Sequence, residues 1–339
     1  MSFRTKILKP AQVGEASELL RQGQCVAFPT ETVYGLGANA LDEQAVAGIF
    51  AAKNRPADNP LIIHVAAISQ LHQLVEPWDS QVQLLMDTYW PGPLTLVLAK
   101  TKIVPYIVTG GLESVGVRIP DHPLALELLR QADRPIAAPS ANTSGRPSPT
   151  RAHHVLEDMA GRIPAVLDGG PTGVGLESTV LDCTSLPFRI LRPGAVTVED
   201  LAQLVPVEQD PGQLTQDEAP RSPGMKYRHY SPQARVELVV GGRSLETIAS
   251  LAQAYLEQGL RVAVMAFSHR QQSFPGTIFL DMGSPGQLQE AAARIYDLLR
   301  QSDQAGCHVV LVEGVADQHL GRAIMNRLSK AAGTNVIFT

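Results

Sequence analysis

The sequence predicts an α/β protein of two domains. The second is expected to be a small domain built on a doubly wound parallel sheet. A chain of 339 residues exceeds one ordinary hydrophobic core. Short apolar runs alternate with stretches of helical periodicity on both sides of a connector. That connector, residues 206–232, is punctuated by Pro and Gly and shows no periodicity. We therefore expect domains over residues 1–205 and 233–339 with a linker over residues 206–232.

The first domain is organised around residues 29–65. Helical periodicity over residues 11–22 ends at a glycine, and an apolar run over residues 25–28 follows as a strand. The next segment, Pro29-Thr30-Glu31-Thr32-Val33-Tyr34-Gly35-Leu36-Gly37, is predicted as a loop whose glycines let the backbone turn or approach a ligand closely. Asp42 is then expected to cap a helix that carries Lys53 in its last turn.

Polar and cationic side chains follow that helix closely. Arg55 lies just beyond its end, and Asn59 leads into a short strand over residues 60–65 that presents His64. Cations, hydroxyls and an imidazole that converge in this way suit a site for a small anionic ligand. The alternative is that Lys53 and Arg55 only complement the helix dipole, which is worth about 0.3 to 1 kcal/mol.

Three more elements are predicted before the next polar segment. They are helices over residues 68–74 and 82–89 and a buried strand over residues 94–98. The strand over residues 114–119 then alternates so that Arg118 and Ser114 lie on one face. Taken alone, Arg118 is interpreted as a charge that protects an edge strand from aggregation.

A second polar loop begins at Ser140, directly after an apolar lead-in. Its sequence, Ser140-Ala141-Asn142-Thr143-Ser144-Gly145-Arg146-Pro147-Ser148-Pro149-Thr150, offers small donors suited to phosphate and ribose, although a solvated connector is the alternative.

The glycines of residues 169–175 do not form Gly-x-Gly-x-x-Gly before a helix, and the chain has no P-loop motif. Any ATP must therefore be held by side chains and scattered amides. A final capped helix is expected over residues 197–200.

Composition limits the class of protein further. No apolar run approaches the ~18 residues of a membrane span, and the N-terminus lacks the apolar stretch of a signal peptide, which predicts a cytoplasmic protein without membrane contact. The three cysteines are far apart and suit neither a disulfide framework nor a metal site. A net charge of −5 argues against a surface built for nucleic acid, so any RNA contact should be local or transient.

The linker and the second domain differ in what they carry. Residues 222–232 contain two tyrosines, a histidine and cations, which suggests a lid. The alternative is a connecting segment that only packs between the two domains. Beyond it we predict strands over residues 236–240, 262–266, 277–280 and 309–312, alternating with helices over residues 245–258, 288–300 and 322–332. Asp281, His308 and His319 are interpreted as loop and core-edge residues.

Several motifs together resemble the YrdC/Sua5 family, the threonylcarbamoyl-AMP synthases of tRNA modification. Lys53-Asn54-Arg55 follows the Pro-Thr-Glu-Thr-Val-Tyr-Gly-Leu turn, and Ser140-Ala141-Asn142 matches the Ser-x-Asn element of the family. Ser178-Thr179-Val180, Arg192-Pro193-Gly194 and the connector before Pro232 are also similar, so the matches cover about the first 232 residues. The resemblance implies a twisted mixed sheet with helices in the first domain and a two-domain, Sua5-type chain.

The same resemblance implies a reaction and its participants. L-threonine, bicarbonate or CO2, and ATP would condense to threonylcarbamoyl-AMP and pyrophosphate, a nucleotidyltransferase reaction that serves the t6A modification at position 37 of tRNA. Mg2+ would come with the nucleotide rather than on protein ligands, and a tRNA threonylcarbamoyl transferase would use the product.

Site residues are implied in three groups. The catalytic residues would be Lys53 and Arg55. Contacts to L-threonine would come from Thr32, His64, Arg118, Ala138 and Ser178, with Arg118 on the carboxylate. Contacts to the nucleotide would come from Arg55, Asn59, Ser114, Ser140, Asn142, Ser148, Arg192, His229 and Tyr230.

Two other functions remain open from the sequence. The basic cleft could bind RNA without chemistry, which salt-sensitive tRNA binding would reveal. The first domain could also belong to an enzyme of carbamoyl transfer or hydrolysis, although residues 226–232 favour the Sua5 type.

Overall fold

The computed structural model describes residues 4–210, 220–222 and 229–339. The chain divides into two compact units. One comprises residues 1–144 and 149–226, and the other comprises residues 145–148 and 227–339.

The first unit contains a mixed sheet, as predicted. Its strands run in the spatial order β1-β8-β2-β3-β7-β4-β6-β5-β9-β10-β11, with parallel and antiparallel neighbours. Their bounds are β1 Lys6–Leu8, β2 Val26–Phe28, β3 Gly35–Asn39, β4 Ile62–His64, β5 Leu94–Ala99, β6 Ser114–Arg118, β7 Ile136–Ala137, β8 Ala165–Leu167, β9 Thr179–Asp182, β10 Phe188–Arg192 and β11 Val207–Gln209.

Helices connect these strands, and the predicted capping residues start two of them. The helices are α1 Val13–Arg21, α2 Glu43–Lys53, α3 Ser80–Tyr89, α4 Tyr106–Thr109, α5 Pro123–Ala132, α6 Ala152–Met159 and α7 Val198–Leu201, with 3-10 turns at Pro10–Gln12 and Ile68–Gln73. The Asp42 side chain accepts hydrogen bonds from the amides of Gln44 and Ala45 at the start of α2. Thr197 and Asp200 form a capping box at α7.

The two faces of this sheet are covered differently. On one face, α2 packs its apolar side chains against β3 and β4 in the main core. On the other face, α1 and α5 cover the end of the sheet that contains β2, β7 and β8. Further along that second face, a small cluster consists of Ile62, Val97, Val180 and Leu191. Polar side chains occupy much of the remaining surface there.

The structure corrects the sequence-based elements at several places. Residues 35–37 belong to strand β3 and not to a loop. A Cβ at Gly37 would lie 2.7 Å from Ile136 Cγ2 and 2.8 Å from Phe28 Cε1, so this glycine makes room for side chains of neighbouring strands. The predicted helix over residues 68–74 is a 3-10 turn, and α5 and α6 were not predicted.

The second unit contains a parallel sheet, which confirms the prediction. Its strands lie in the order β14-β13-β15-β12-β16, and every pairing among them is parallel. The elements are β12 Arg235–Val240, α8 Ser244–Glu257, β13 Val262–Ala266, a 3-10 turn Ser268–Ser273, β14 Ile278–Asp281, α9 Leu288–Gln304, β15 Val309–Glu313, α10 Leu320–Ala332 and β16 Val336–Phe338. The last strand was not predicted because only three residues form it.

Helix α9 fixes the short segment 145–148 within the second unit. Arg300, which is buried, donates from Nη2 to the carbonyl of Pro147 at 2.6 Å. Asp303 Oδ2 pairs with Arg146 at 3.1 Å, and its Oδ1 accepts from the amide of Gln233 at 2.7 Å. This carboxylate therefore orders two chain segments at once.

We predict that Gly37→Ala lowers the free energy of unfolding by about 1 to 3 kcal/mol, because the added methyl group overpacks the contact between Phe28 and Ile136. Denaturant unfolding of both proteins measures this effect. Gly173→Ala is the matched control, since a Cβ at Gly173 meets no heavy atom within 4 Å. Equal losses in the two variants would contradict the packing explanation.

Candidate active site

Five adjacent strands bring two of the predicted cations, Arg118 and Arg192, and the predicted His64 to one face of the mixed sheet. His64 on β4 lies opposite Arg118 on β6, and Val97 on β5 lies opposite Gly116 on β6. Val180 on β9 is opposite both Thr95 on β5 and Arg192 on β10. Because paired residues share a face and side chains alternate along each strand, His64, Arg118, Thr95 and Arg192 lie on the same side of the sheet.

Each of the three guanidinium nitrogens of Arg118 donates a hydrogen bond within the protein. Arg118 is only 3% exposed and lies on an interior strand, which rules out the edge-strand interpretation. Its Nε donates to the carbonyl of Gly92 and its Nη1 to the hydroxyl of Thr32, both at 3.0 Å. Its Nη2 forms an ion pair with Glu31.

The hydroxyl of Thr32 is itself held in place. Thr30 Oγ1 lies 2.8 Å from Thr32 Oγ1 and accepts hydrogen bonds from the amides of Thr32 and Val33. The Thr-rich turn is thus a compact hydrogen-bonded unit that meets Arg118.

His64 is a neutral side chain in this setting. Burial and the charge of Arg118 lower its pKa to about 3, although hydrogen bonds to the backbone of Ile62 and Ile136 oppose this shift. The ring also makes an edge contact with Phe28, with centroids 6.1 Å apart. At neutral pH the imidazole can therefore donate and accept hydrogen bonds without adding charge.

Arg192 and Ser178 form a second polar group on the face. Arg192 Nε donates to the carbonyl of Ser178 at 3.2 Å and Nη2 to its hydroxyl at 3.3 Å, while that hydroxyl lies 2.8 Å from Thr95 Oγ1. A Cβ at Gly194 would lie 2.3 Å from the amide nitrogen of Thr179. Only glycine therefore allows the Arg-Pro-Gly turn to lie directly on the Ser178–Thr179 peptide.

Lys53 orders the Ser140 loop. The side chain is almost completely buried, and Nζ donates to the carbonyls of Ser140 and Asn142, each at 2.5 Å. The carbonyl of Lys53 accepts from the amide of Ser144 at 3.0 Å, and the amide of Ala141 donates to the carbonyl of Tyr34. The lysine therefore does more than complement the helix dipole, because it ties α2 to a loop that also contacts the Thr-rich turn.

Arg55 has a similar position near Asn59. Its guanidinium donates to the carbonyls of Asn59 at 3.3 Å and Pro60 at 3.0 Å. The amide oxygen of Asn59 is buried and has no hydrogen-bond partner among the residues that the structure describes. Such atoms are rare in folded proteins and mark places where a ligand donor fits.

The remaining predicted residues lie in both units. In the first unit Ala138 is buried and donates from its amide to the carbonyl of Ile62, and Ser114 is half-buried at the start of β6. Ser148, His229 and Tyr230 are buried residues of the second unit. There the Tyr230 ring lies 5.3 Å from that of Tyr296. Residues 223–228, which include most of the predicted lid, lie outside the described part of the chain.

Three residues interpreted from sequence as loop and core-edge residues have ordinary structural contacts. The Asp281 carboxylate accepts from Ser268 and from the amide of Gly283, both at 2.7 Å. His308 Nδ1 accepts from the amide of Arg261, and His319 precedes α10.

Sequence reasoning missed two residues of the site. Glu31 pairs with Arg118, and Thr95 contacts Ser178. The signals were present, since Glu31 is the one charge in a neutral turn and Thr95 is the one polar residue in an apolar run.

The geometry defines a class of protein. It is an α/β protein of two compact units, the first of which buries guanidinium groups, hydroxyls and a neutral imidazole on one side of a mixed sheet. The chain belongs to the Sua5/YciO/YrdC family. The model of that family, described as "Telomere recombination", matches residues 18–194, and a model described as "Threonylcarbamoyl-AMP synthase, C-terminal domain" matches residues 196–333.

Related proteins resemble the chain over nearly its full length. A threonylcarbamoyl-AMP synthase of Bacillus subtilis is 48% identical over 96% of this chain and 94% of its own length. That of Pyrococcus abyssi is 46% identical over 95% of this chain and 94% of its own length. The crystal structure of P. abyssi Sua5 complexed with L-threonine superposes with a TM-score of 0.93 at 45% identity, covering 99% of this chain and 100% of that one.

None of the helices in the described residues is both long enough and apolar enough to cross a membrane.

We predict that His64 makes stability depend on pH. Its pKa in the folded state lies below the value in the unfolded chain, so the unfolded chain binds an extra proton as pH falls below about 6.5. The free energy of unfolding therefore falls by about 1.4 kcal/mol for each pH unit because of this group. The variant His64→Gln lacks this titrating group. The difference in the free energy of unfolding between the unaltered chain and the variant should therefore shrink as pH is lowered from 7 to 5. Urea unfolding at these pH values measures the difference, and a constant difference would contradict the neutral, buried assignment.

Proposed function

We propose that the chain is a threonylcarbamoyl-AMP synthase. It condenses L-threonine, bicarbonate or CO2, and ATP to L-threonylcarbamoyl-AMP and pyrophosphate, and so acts as a nucleotidyltransferase in the cytoplasm. The observation that carries the proposal is the shared sheet face on which Arg118 with Thr32 and Arg192 with Ser178 are buried. The likeness to a Sua5 protein crystallised with L-threonine supports the choice of amino acid.

The residues around Arg118 suit threonine. A guanidinium offers a planar fork of donors to an α-carboxylate. The hydroxyl of Thr32 and the neutral ring of His64 lie beside Arg118, and Ser178 offers a further hydroxyl. Ala138 has a small side chain and lies next to β4, where its amide donates to the carbonyl of Ile62. We assign these five residues to the amino acid.

The nucleotide requires donors spread over a longer surface. We assign to it Arg55, Asn59, Ser114, Ser140, Asn142, Ser148, Arg192, His229 and Tyr230. The buried amide oxygen of Asn59 supports its inclusion, because a ligand donor would satisfy it. Lys53 stabilises the Ser140 loop, since its two hydrogen bonds fix the backbone of Ser140 and Asn142.

The chemistry needs charge compensation more than acid and base groups. The amine of threonine bonds to the carbon of CO2 and loses a proton, which gives a carbamate. A carbamate oxygen then bonds to the α-phosphorus of ATP while the bond to the bridging oxygen breaks, and pyrophosphate leaves. Two anions must therefore approach each other, and preorganised arginines and amides lower that barrier.

Mg2+ fits this site as a companion of the nucleotide. The donors assigned to ATP are hydroxyls, amides and guanidinium groups, which suit phosphate oxygens rather than a carboxylate cage for a metal. Bound to the phosphates, Mg2+ neutralises part of their charge.

The domain roles follow from the same proposal. We assign catalysis to residues 1–205, a linker and lid to residues 206–232, and an accessory function to residues 233–339. Within the first unit, Arg221 of the linker pairs with Asp182 at 3.2 Å and with Asp210 at 2.8 Å, which anchors the start of the lid. The product would pass to a tRNA threonylcarbamoyl transferase for the t6A modification, with at most transient tRNA contact.

The direct test is pyrophosphate release by the purified chain without tRNA. We expect release only when threonine, bicarbonate and ATP are all present, because each contributes atoms to the adenylate. Omission of any one should return the rate to background. Salt-sensitive tRNA binding combined with no threonine-dependent release would contradict the enzyme and favour an RNA-binding module.

We predict that Lys53→Ala and Arg55→Ala each reduce turnover by more than about tenfold, since each removes donors that order backbone next to the reacting groups. Lys53→Ala should also lower thermal stability, because two buried carbonyls lose their donor.

Lys100→Ala is the matched control for this pair. Lys100 is also buried in the first unit and donates to a carbonyl, that of Val104 at 3.1 Å, but it is not part of the candidate site. The Lys100→Ala variant should be less stable than the unaltered chain, but its turnover should be unchanged. Near-normal turnover in both site variants would remove Lys53 and Arg55 from the mechanism.

A further inference from the structure

We propose that Glu31 binds the α-ammonium group of the amino-acid substrate, so that Glu31 and Arg118 together select a zwitterion. This inference rests on the proposed function, in which Arg118 receives the α-carboxylate. It adds a catalytic-site residue and a rule for substrate selection.

The two oxygens of the Glu31 carboxylate have different surroundings. Oε1 forms the ion pair with Arg118 Nη2, and the Glu31 side chain is only 11% exposed. Oε2 is buried and has no hydrogen-bond partner among the described residues. A buried carboxylate oxygen without a donor is costly, and an ammonium group is the strongest donor that a small ligand can bring to it.

The backbone around Glu31 holds this carboxylate in place. Its carbonyl accepts from the amide of Val174 at 2.7 Å. The next residue, Thr32, is fixed through its amide by Thr30 Oγ1 and through its hydroxyl by Arg118. Glu31 is therefore a preorganised acceptor and not a side chain on a free loop.

Arg118 retains capacity for a ligand while it is paired with Glu31. Each of its three nitrogens donates one hydrogen bond within the protein. A guanidinium has five N–H donors, so two remain for the α-carboxylate. Glu31 can therefore stay in place when the substrate binds.

The charges explain why a zwitterion is preferred. The Glu31–Arg118 pair is neutral as a unit, and an α-amino acid matches it with an ammonium beside the carboxylate and a carboxylate beside the guanidinium. An α-hydroxy acid would bring an uncompensated negative charge. His122 does not supply the missing cation, because burial lowers its pKa despite the opposing charges of Glu31 and Asp121.

The test compares L-threonine with its α-hydroxy analogue, (2S,3R)-2,3-dihydroxybutanoate, by calorimetric binding to the full chain without ATP. The unaltered chain should bind threonine at least about tenfold more tightly than the analogue, as expected for a charge-assisted pair. Glu31→Gln should weaken threonine binding by about tenfold and analogue binding by less than about threefold. Equal affinities of the unaltered chain for both ligands would overturn the inference even if the variant fails to fold.

The ratio separates substrate contact from a purely structural role. If Glu31 only orients Arg118, Glu31→Gln weakens both ligands equally, since both carry the carboxylate, and the inference is wrong. Glu237→Gln is the control, because Glu237 is a similarly buried carboxylate, 9% exposed, paired with Arg235 at 3.0 Å in the second unit. It should leave both affinities unchanged. Failure of the unaltered chain to bind threonine at all would instead contradict the proposed function.

Discussion

The burial of positive charge is the constraint on which the first domain depends. Lys53, Arg118 and Arg192 are each at least nine-tenths buried, and a buried cation without compensation costs several kcal/mol. The partners of these cations include backbone carbonyls, the hydroxyls of Thr32 and Ser178, and the carboxylate of Glu31. These partners lie on strand ends and on adjacent loops.

This compensation leaves the cations able to act on a ligand. Carbonyls and hydroxyls stabilise a buried cation without cancelling its charge, whereas the carboxylate of Glu31 makes its pair with Arg118 neutral and leaves two N–H donors of the guanidinium for a ligand. Burial of the ring and, second to it, the charge of Arg118 lower the pKa of His64 and keep this side chain neutral. An enzyme that joins two anions needs fixed positive charge of this kind, and its stability and its chemistry therefore depend on the same hydrogen bonds.

The sequence predicted features that depend on local pattern. Asp42 and Thr197 were identified as caps, and Arg118 and Ser114 as neighbours on one strand face, because capping and alternation need only a few adjacent residues. Features that depend on distant packing were missed. Position 37 accommodates glycine because Phe28 and Ile136 occupy the space that a side chain would need, and the pairing of Glu31 with Arg118 joins residues 87 positions apart. A local pattern can mark Glu31 as an isolated charge, but it does not identify a partner so far along the chain.

The most direct test is a crystal structure of the chain with L-threonine bound. We predict that the α-carboxylate lies within hydrogen-bond distance of the Arg118 guanidinium, that the ammonium lies next to Glu31 Oε2, and that the Glu31–Arg118 ion pair is intact. A threonine bound away from the sheet face of His64 and Arg118, or an Arg118 that turns away from the ligand, would contradict it.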